Sequence, residues 1–184
     1  MINREEAFIL LKKYLRDESN IRHSLAVEAV LREVAKRLDR DEELWGLTGL
    51  LHNLDYEYTS SDPEKRGTLS AQLLEDLLPE SGVNAIRANN YMYTDYIPIS
   101  SLDKSLIAAD AITGFIIAMA HSMPSKKIVA VDFEILVKKF NDPSFAARYK
   151  RNKIQLCIDI GIELEVFLEL VLNTLKQISD KLNI

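Results

Sequence analysis

The chain has 184 residues, a length that suits one domain and buries most of its unfolded surface without a disulfide or structural metal. With 47% hydrophobic and 28% charged residues, 6 Gly and 5 Pro, it falls outside the disordered and fibrous classes. The net charge of −5 argues against binding a nucleic-acid polymer or an anionic membrane, and the single cysteine, Cys157, excludes an internal disulfide and fits a reducing, cytoplasmic compartment.

The opening segment, MINREEAFILLKKYL, places acidic residues before a short, interrupted apolar stretch, unlike a secretory signal. Asn3 and Glu6 have capping-box spacing, and Phe8, Leu11 and Leu15 follow on one face, so a first helix begins here. The spacing predicts a second helix from Asn20 to Leu38 (Leu25, Ala29, Val34) and a third from Asp41 to Leu54 (Leu44, Leu47, Leu51). Further helices are predicted over 64–78, 83–92, 101–120, 132–140 and 152–160, and a strongly periodic last one runs from Glu163 to Leu182. The prolines fall in the polar gaps between these segments, and no run alternates with period two for long enough to form a strand. The most apolar window, Ala108 to Ala120, is too short to span a bilayer and contains Asp110, so it reads as a buried helix. The expected architecture is an all-α bundle of about eight or nine helices, one domain over residues 1–184.

Ionisable side chains interrupt the apolar stripes at three places, where burial requires a partner, a ligand or a function. His23 shares a face with Ala26, Val27 and Val30 and is either a hydrogen-bonded structural histidine or a ligand. His52 and Asn53 close the run GLTGLLHNLDYE. They are either a polar helix end or part of a site, and Gly46 and Gly49 leave room above Asn53 for an ion, a ligand or another backbone. Asp110 sits within SLIAADAITGFIIAMA, four residues before Gly114, where a carboxylate needs a facing cation. Two imidazoles and a carboxylate suit zinc, iron or manganese, but the three lie 29 and 58 residues apart, so only the fold can assemble them.

RHSLAVEAV, WGLTGLLHNLDYE, DPEKRGTLSAQLL, IRANN and LIAADAITGFI resemble, in order, the motifs of the HD superfamily of metal-dependent phosphohydrolases. More narrowly, they are similar to small bacterial HD-domain proteins whose second motif reads like LLHDIDYE and whose later segment resembles MPSKK and DPSFAARYKRN. The resemblance implies an all-helical fold whose metal ligands are a His, an adjacent His-Asp pair and a distant Asp, often with two further His for a second metal. Position by position, His23, His52 and Asp110 match the first, second and last ligands. The acid of the doublet is Asn53 here, and the two further imidazoles fall on Arg66 and Asn89. Asn53 offers only a neutral carbonyl oxygen, and Arg66 carries a permanent charge that repels a metal. The implied outcome is a lost second metal site and a weakened first one.

On this resemblance Asp55, just beyond the doublet, either orients a ligating histidine or water as a catalytic group or caps the helix end. Lys126, Lys127, Arg148 and Arg151 match positions that can face an anionic ligand, with solvated surface charge as the plainer reading. Arg66 either points into the pocket, answering Asp110 or a phosphate, or points to solvent. Two functions follow. One is a phosphohydrolase acting on a nucleotide or other small phosphoester, with a manganese, iron, nickel or zinc ion weakly held or absent. The other is an inactive relative that binds a phosphorylated ligand or a protein partner without turnover.

Overall fold

The computed structural model describes residues 1–183. Asn3 and Glu6 form the expected capping box, the Asn3 side chain accepting from the Glu6 amide at 3.0 Å and the Glu6 carboxylate from the Asn3 amide at 3.1 Å, and they open α1 (Arg4–Tyr14). Asp17 caps α2 (Glu18–Arg37), and Asp41 caps α3 (Glu42–Leu51) through the amides of Glu43 and Leu44. These two helices pack on each other more extensively than any other pair. Glu28 of α2 is almost fully buried; it accepts two hydrogen bonds from Arg4 (2.7 and 2.9 Å) and one from Arg32, which ties the start of α1 to the middle of α2.

Two expected helices are interrupted. α3 ends at Leu51, not Leu54, and residues 52–61 continue as successive turns. The helix expected over 64–78 is split into a 3₁₀ turn, Pro63–Lys65, and the short α4 (Thr68–Leu74). Between them Gly67 adopts φ +84°, a left-handed conformation that ends one helical segment and starts another. α5 (Glu80–Asn89) starts directly after Pro79, earlier than expected, and α6 (Ser101–Ser122) starts at a Ser100–Asp103 capping box. Asp132 caps α7 (Phe133–Phe140). The helix expected over 152–160 begins as α8 (Arg151–Ile154), tightens into a 3₁₀ turn over Gln155–Ile160 and ends at the left-handed Gly161, before α9 (Leu164–Leu182). The protein is all-helical, with nine α-helices and no strand among the described residues.

α6 is the spine of the core. Its 22 residues and mean hydropathy of 1.4 would suffice to cross a bilayer, yet 72% of its most apolar window is buried inside the protein, the environment of a core helix. Leu106, Ile107, Ile112, Phe115 and Ile116 are fully enclosed by its neighbours. Cys157 is also enclosed, and burial pushes its thiol up to about 11, which leaves it a packing residue rather than a nucleophile.

The 52–61 turns are fastened to the start of α2 by Glu57, whose carboxylate accepts from the amides of Arg16 and Asp17 and the side chain of Asn20. Burial works to raise this carboxyl, but those donors outweigh it and hold it below its ordinary value. A carboxylate depressed on folding adds stability above its unfolded value of about 4.3, and the contribution is lost as pH falls through the folded value. Glu57→Gln is therefore expected to lower the unfolding free energy at neutral pH by about 1 kcal/mol in urea titrations, with the gap to wild type closing below about pH 4. A gap that is the same at both pH values would contradict this account.

Candidate metal centre and its cavity

Gly49 sets the geometry of the site. A Cβ there would meet the Val27 carbonyl oxygen at 2.9 Å and the Glu28 Cα at 3.1 Å, so α3 touches α2 backbone to backbone. Of the occupants open for the space at Gly46 and Gly49, α2 takes the second directly and the Arg32 side chain takes the first. His23 lies one turn before Val27 on α2, and His52 lies one turn after Gly49 as the C-cap of α3. The crossing thus brings the two imidazoles together, with ring centroids 5.6 Å apart. α6 supplies Asp110 from the third side, with its Oδ1 2.8 Å from His23 Nε2 and 3.6 Å from His52 Nε2.

The hydrogen bonds define which nitrogen is free. His52 Nδ1 lies 2.7 Å from the Gly49 carbonyl oxygen, which can only accept, so Nδ1 carries the proton. In the neutral ring Nε2 is then a lone pair facing a carboxylate oxygen, two acceptors opposed. Nε2 is buried without a hydrogen-bond partner. A second proton or a metal cation between them satisfies both, and a backbone-bonded Nδ1–H is the usual support of a metal-ligating histidine. The candidate ligand atoms of His23, His52 and Asp110 all lie within 4.8 Å of one another. This donor set fits one divalent ion. Burial would raise the Asp110 carboxyl, but the hydrogen bond from His23 and the nearby His52 imidazole hold it well below the usual carboxylate range, in its ligating form.

The three groups line a cavity of about 600 Å³, large enough for a small organic ligand. Asn53 lines it too and makes no side-chain hydrogen bond among the described residues, so its carbonyl oxygen is available. Asn89, the last residue of α5, instead donates from Nδ2 to Asp110 Oδ2 at 3.0 Å and leaves its own Oδ1 buried and unpartnered. Arg66 faces the cavity with its guanidinium 4.1 Å from the centre of the Tyr56 ring, and it is not paired with Asp110. Arg148 lines the outer wall beside Tyr149, whose ring fills the space left by Gly114.

Four expected site residues lie outside the cavity lining. The Asp55 carboxylate turns away to the start of α4, its Oδ2 accepting from the amides of Gly67 (2.8 Å) and Ser70 (3.0 Å). Of its two sequence readings this is the cap, though of the following helix rather than its own; it shapes the turn that carries Arg66. Arg151 is spent on carbonyl oxygens, including those of Phe140, Asp142 and Phe145, and its guanidinium stacks on Phe115. Lys126 and Lys127 sit exposed in the turn after α6, apart from the cavity lining. Conversely, Lys153 of α8 and Arg22 of α2 line the cavity and were not singled out. The signal for Lys153 was present: RYKRNK places four cations within six residues of an acidic chain.

Two histidines and an aspartate are brought together by three helices of an all-helical bundle, as a donor set suited to one divalent ion. A family profile described as HD domain matches residues 20–114, slightly more than half the chain and including all three groups, and the chain belongs to the HD domain family. No curated protein and no solved structure matches it.

Because the trio depends on the Gly49 crossing, Gly49→Ala is expected to overpack α2 against α3 and lower the melting temperature by about 3–10 °C. It should also weaken divalent-metal binding, measured by titration calorimetry. A variant that melts and binds metal like wild type would show that the crossing is not what sets the site.

Proposed function

We propose that the protein is a phosphohydrolase of reduced metal capacity. It holds one divalent transition ion, manganese, iron, nickel or zinc, on His23, His52 and Asp110, with the Asn53 carbonyl oxygen as a neutral fourth donor. Its substrate is a nucleotide or other small phosphoester of the cytoplasm. The observation that carries this reading is the buried, unpartnered Nε2 of His52, fixed by the Gly49 carbonyl and opposed to a carboxylate.

A divalent ion there supplies the charge that polarises a phosphoryl oxygen and acidifies water. The chain's own groups do the rest. His52 is held in one tautomer by α3, and Asp110 is held ionised by the imidazoles and fixed in direction by the Asn89 amide. Arg66 and the other cations of the wall favour an anionic ligand over a neutral one. Asp55 acts at a distance, positioning Arg66 through the Gly67 turn.

An inactive, ligand-binding relative is the second reading, favoured by Asn89: it spends its amide on Asp110 and brings no imidazole to a second ion. The first reading anticipates slow chemistry, since each transition-state interaction of about 1.4 kcal/mol that is lost costs tenfold in rate; the second anticipates none.

Titration with manganese or nickel is expected to give one ion per chain, abolished by His52→Ala and tightened about tenfold or more by Asn53→Asp. Metal-dependent release of phosphate from a generic phosphomonoester should be slow in wild type and absent in His52→Ala. Two ions per chain, or a His52→Ala protein that binds metal normally, would overturn the assignment. One bound ion without any turnover would select the inactive reading.

A further inference from the structure

Among the described residues the cavity is lined by five permanent cations, Arg22, Arg66, Arg148, Lys150 and Lys153, and by one carboxylate, Asp110. That carboxylate is already engaged by His23, His52 and Asn89. None of the five cations forms a salt bridge with a carboxylate among the described residues. Arg66 sits over the Tyr56 ring, and its Nε is buried with no hydrogen-bond partner. Lys153 is half-buried, and its one hydrogen bond is a long one, 3.4 Å, to the Asn89 backbone carbonyl, although an ammonium carries three donors. Burial pushes this ammonium below the usual lysine range; the Asp110 charge opposes that, and the Arg66 charge adds to it. Two like charges therefore stand within electrostatic reach of each other on one wall, both with unused donors. Arg22 adds another buried, unpartnered Nε to the lining.

We infer that Arg66 and Lys153 form a seat for a phosphoryl group that works without a metal ion. A guanidinium fork and an ammonium lining one cavity present donors in more than one plane, which suits the three terminal oxygens of a phosphomonoester; a carboxylate has two oxygens in a single plane. The anion removes the repulsion between the two cations and uses the idle donors. The backbone does not compete for this role, because the Gly67 and Ser70 amides at the start of α4 already donate to Asp55. Arg66 lies within the residues matched by the family profile and Lys153 beyond them. The inference deepens the phosphoester reading above by placing the phosphoryl group, yet it does not need the ion.

The test is calorimetric titration of the full-length protein with inorganic phosphate at low ionic strength in the presence of EDTA. Saturable binding is expected, weakened about tenfold or more by Arg66→Gln and by Lys153→Gln, the loss expected when a hydrogen bond to a charged group is removed. Lys127→Gln should bind like wild type, and acetate should bind at least about tenfold more weakly than phosphate. Thermal melts establish that each variant is folded, and the two substitutions on separate elements give independent readings. Phosphate binding only after manganese is added, unchanged affinity in both variants, or acetate binding as tightly as phosphate would each overturn the seat. A metal site that fails while phosphate binding still depends on Arg66 and Lys153 would overturn the metal reading alone. A metal site that holds while phosphate ignores both residues would overturn the seat alone.

Discussion

The backbone contact between Gly49 and α2 is the constraint on which the centre depends. Helices normally stand 8–10 Å apart, kept there by their side chains. Removing one Cβ lets α3 settle onto the Val27 carbonyl, and it does so one turn from each imidazole. The same residue then uses its own carbonyl to hold the His52 proton on Nδ1. Position and tautomer are thus set by one glycine through two different atoms, and Asp110 needs only to be carried into place by α6, the helix with the most buried residues.

Around that point the charge balance is unusual for an acidic protein. The overall sign is negative, while the cavity is positive, so long-range repulsion of anions gives way to local attraction only at short distance, within a Debye length of about 8–10 Å. Asn53 tilts this balance further, because it puts a neutral amide where the family resemblance implies a carboxylate that would offset the cations. The result is a site whose electrostatics are built more from guanidinium and ammonium groups than a purely metal-centred design requires.

The helices were largely legible because their apolar residues recur at three and four and their caps obey local rules, as at Asn3, Asp41 and Asp132. The breaks were not. Splitting 64–78 rests on Gly67 in a left-handed turn and on Asp55, twelve residues upstream, taking the amides that a continuing helix would have used internally. No local pattern encodes that pairing. His23, His52 and Asp110 could be picked out as polar residues in apolar stripes, but their meeting depends on a helix crossing. Arg151 and Lys153 were indistinguishable by composition: two basic residues, two positions apart, of which one is consumed by carbonyls and the other faces the cavity. Only tertiary packing separates them.

The hold of Arg151 on the chain ahead of it bears on how the cavity opens. One guanidinium accepts the task of satisfying six carbonyl oxygens, those of Lys139, Phe140, Asp142, Phe145, Ala146 and Tyr149. That segment includes Arg148 and Tyr149 of the cavity wall and lies largely outside regular helix. Few ladder bonds of its own hold it, so its order comes from this side chain together with the packing of Phe140, Phe145 and Tyr149 on the core. Such a segment exchanges its amides and meets proteases as one cooperative unit, detaching together when the guanidinium lets go. The outer wall thus depends on Arg151 for its polar bonds, while the trio beneath depends on the crossing of α2, α3 and α6.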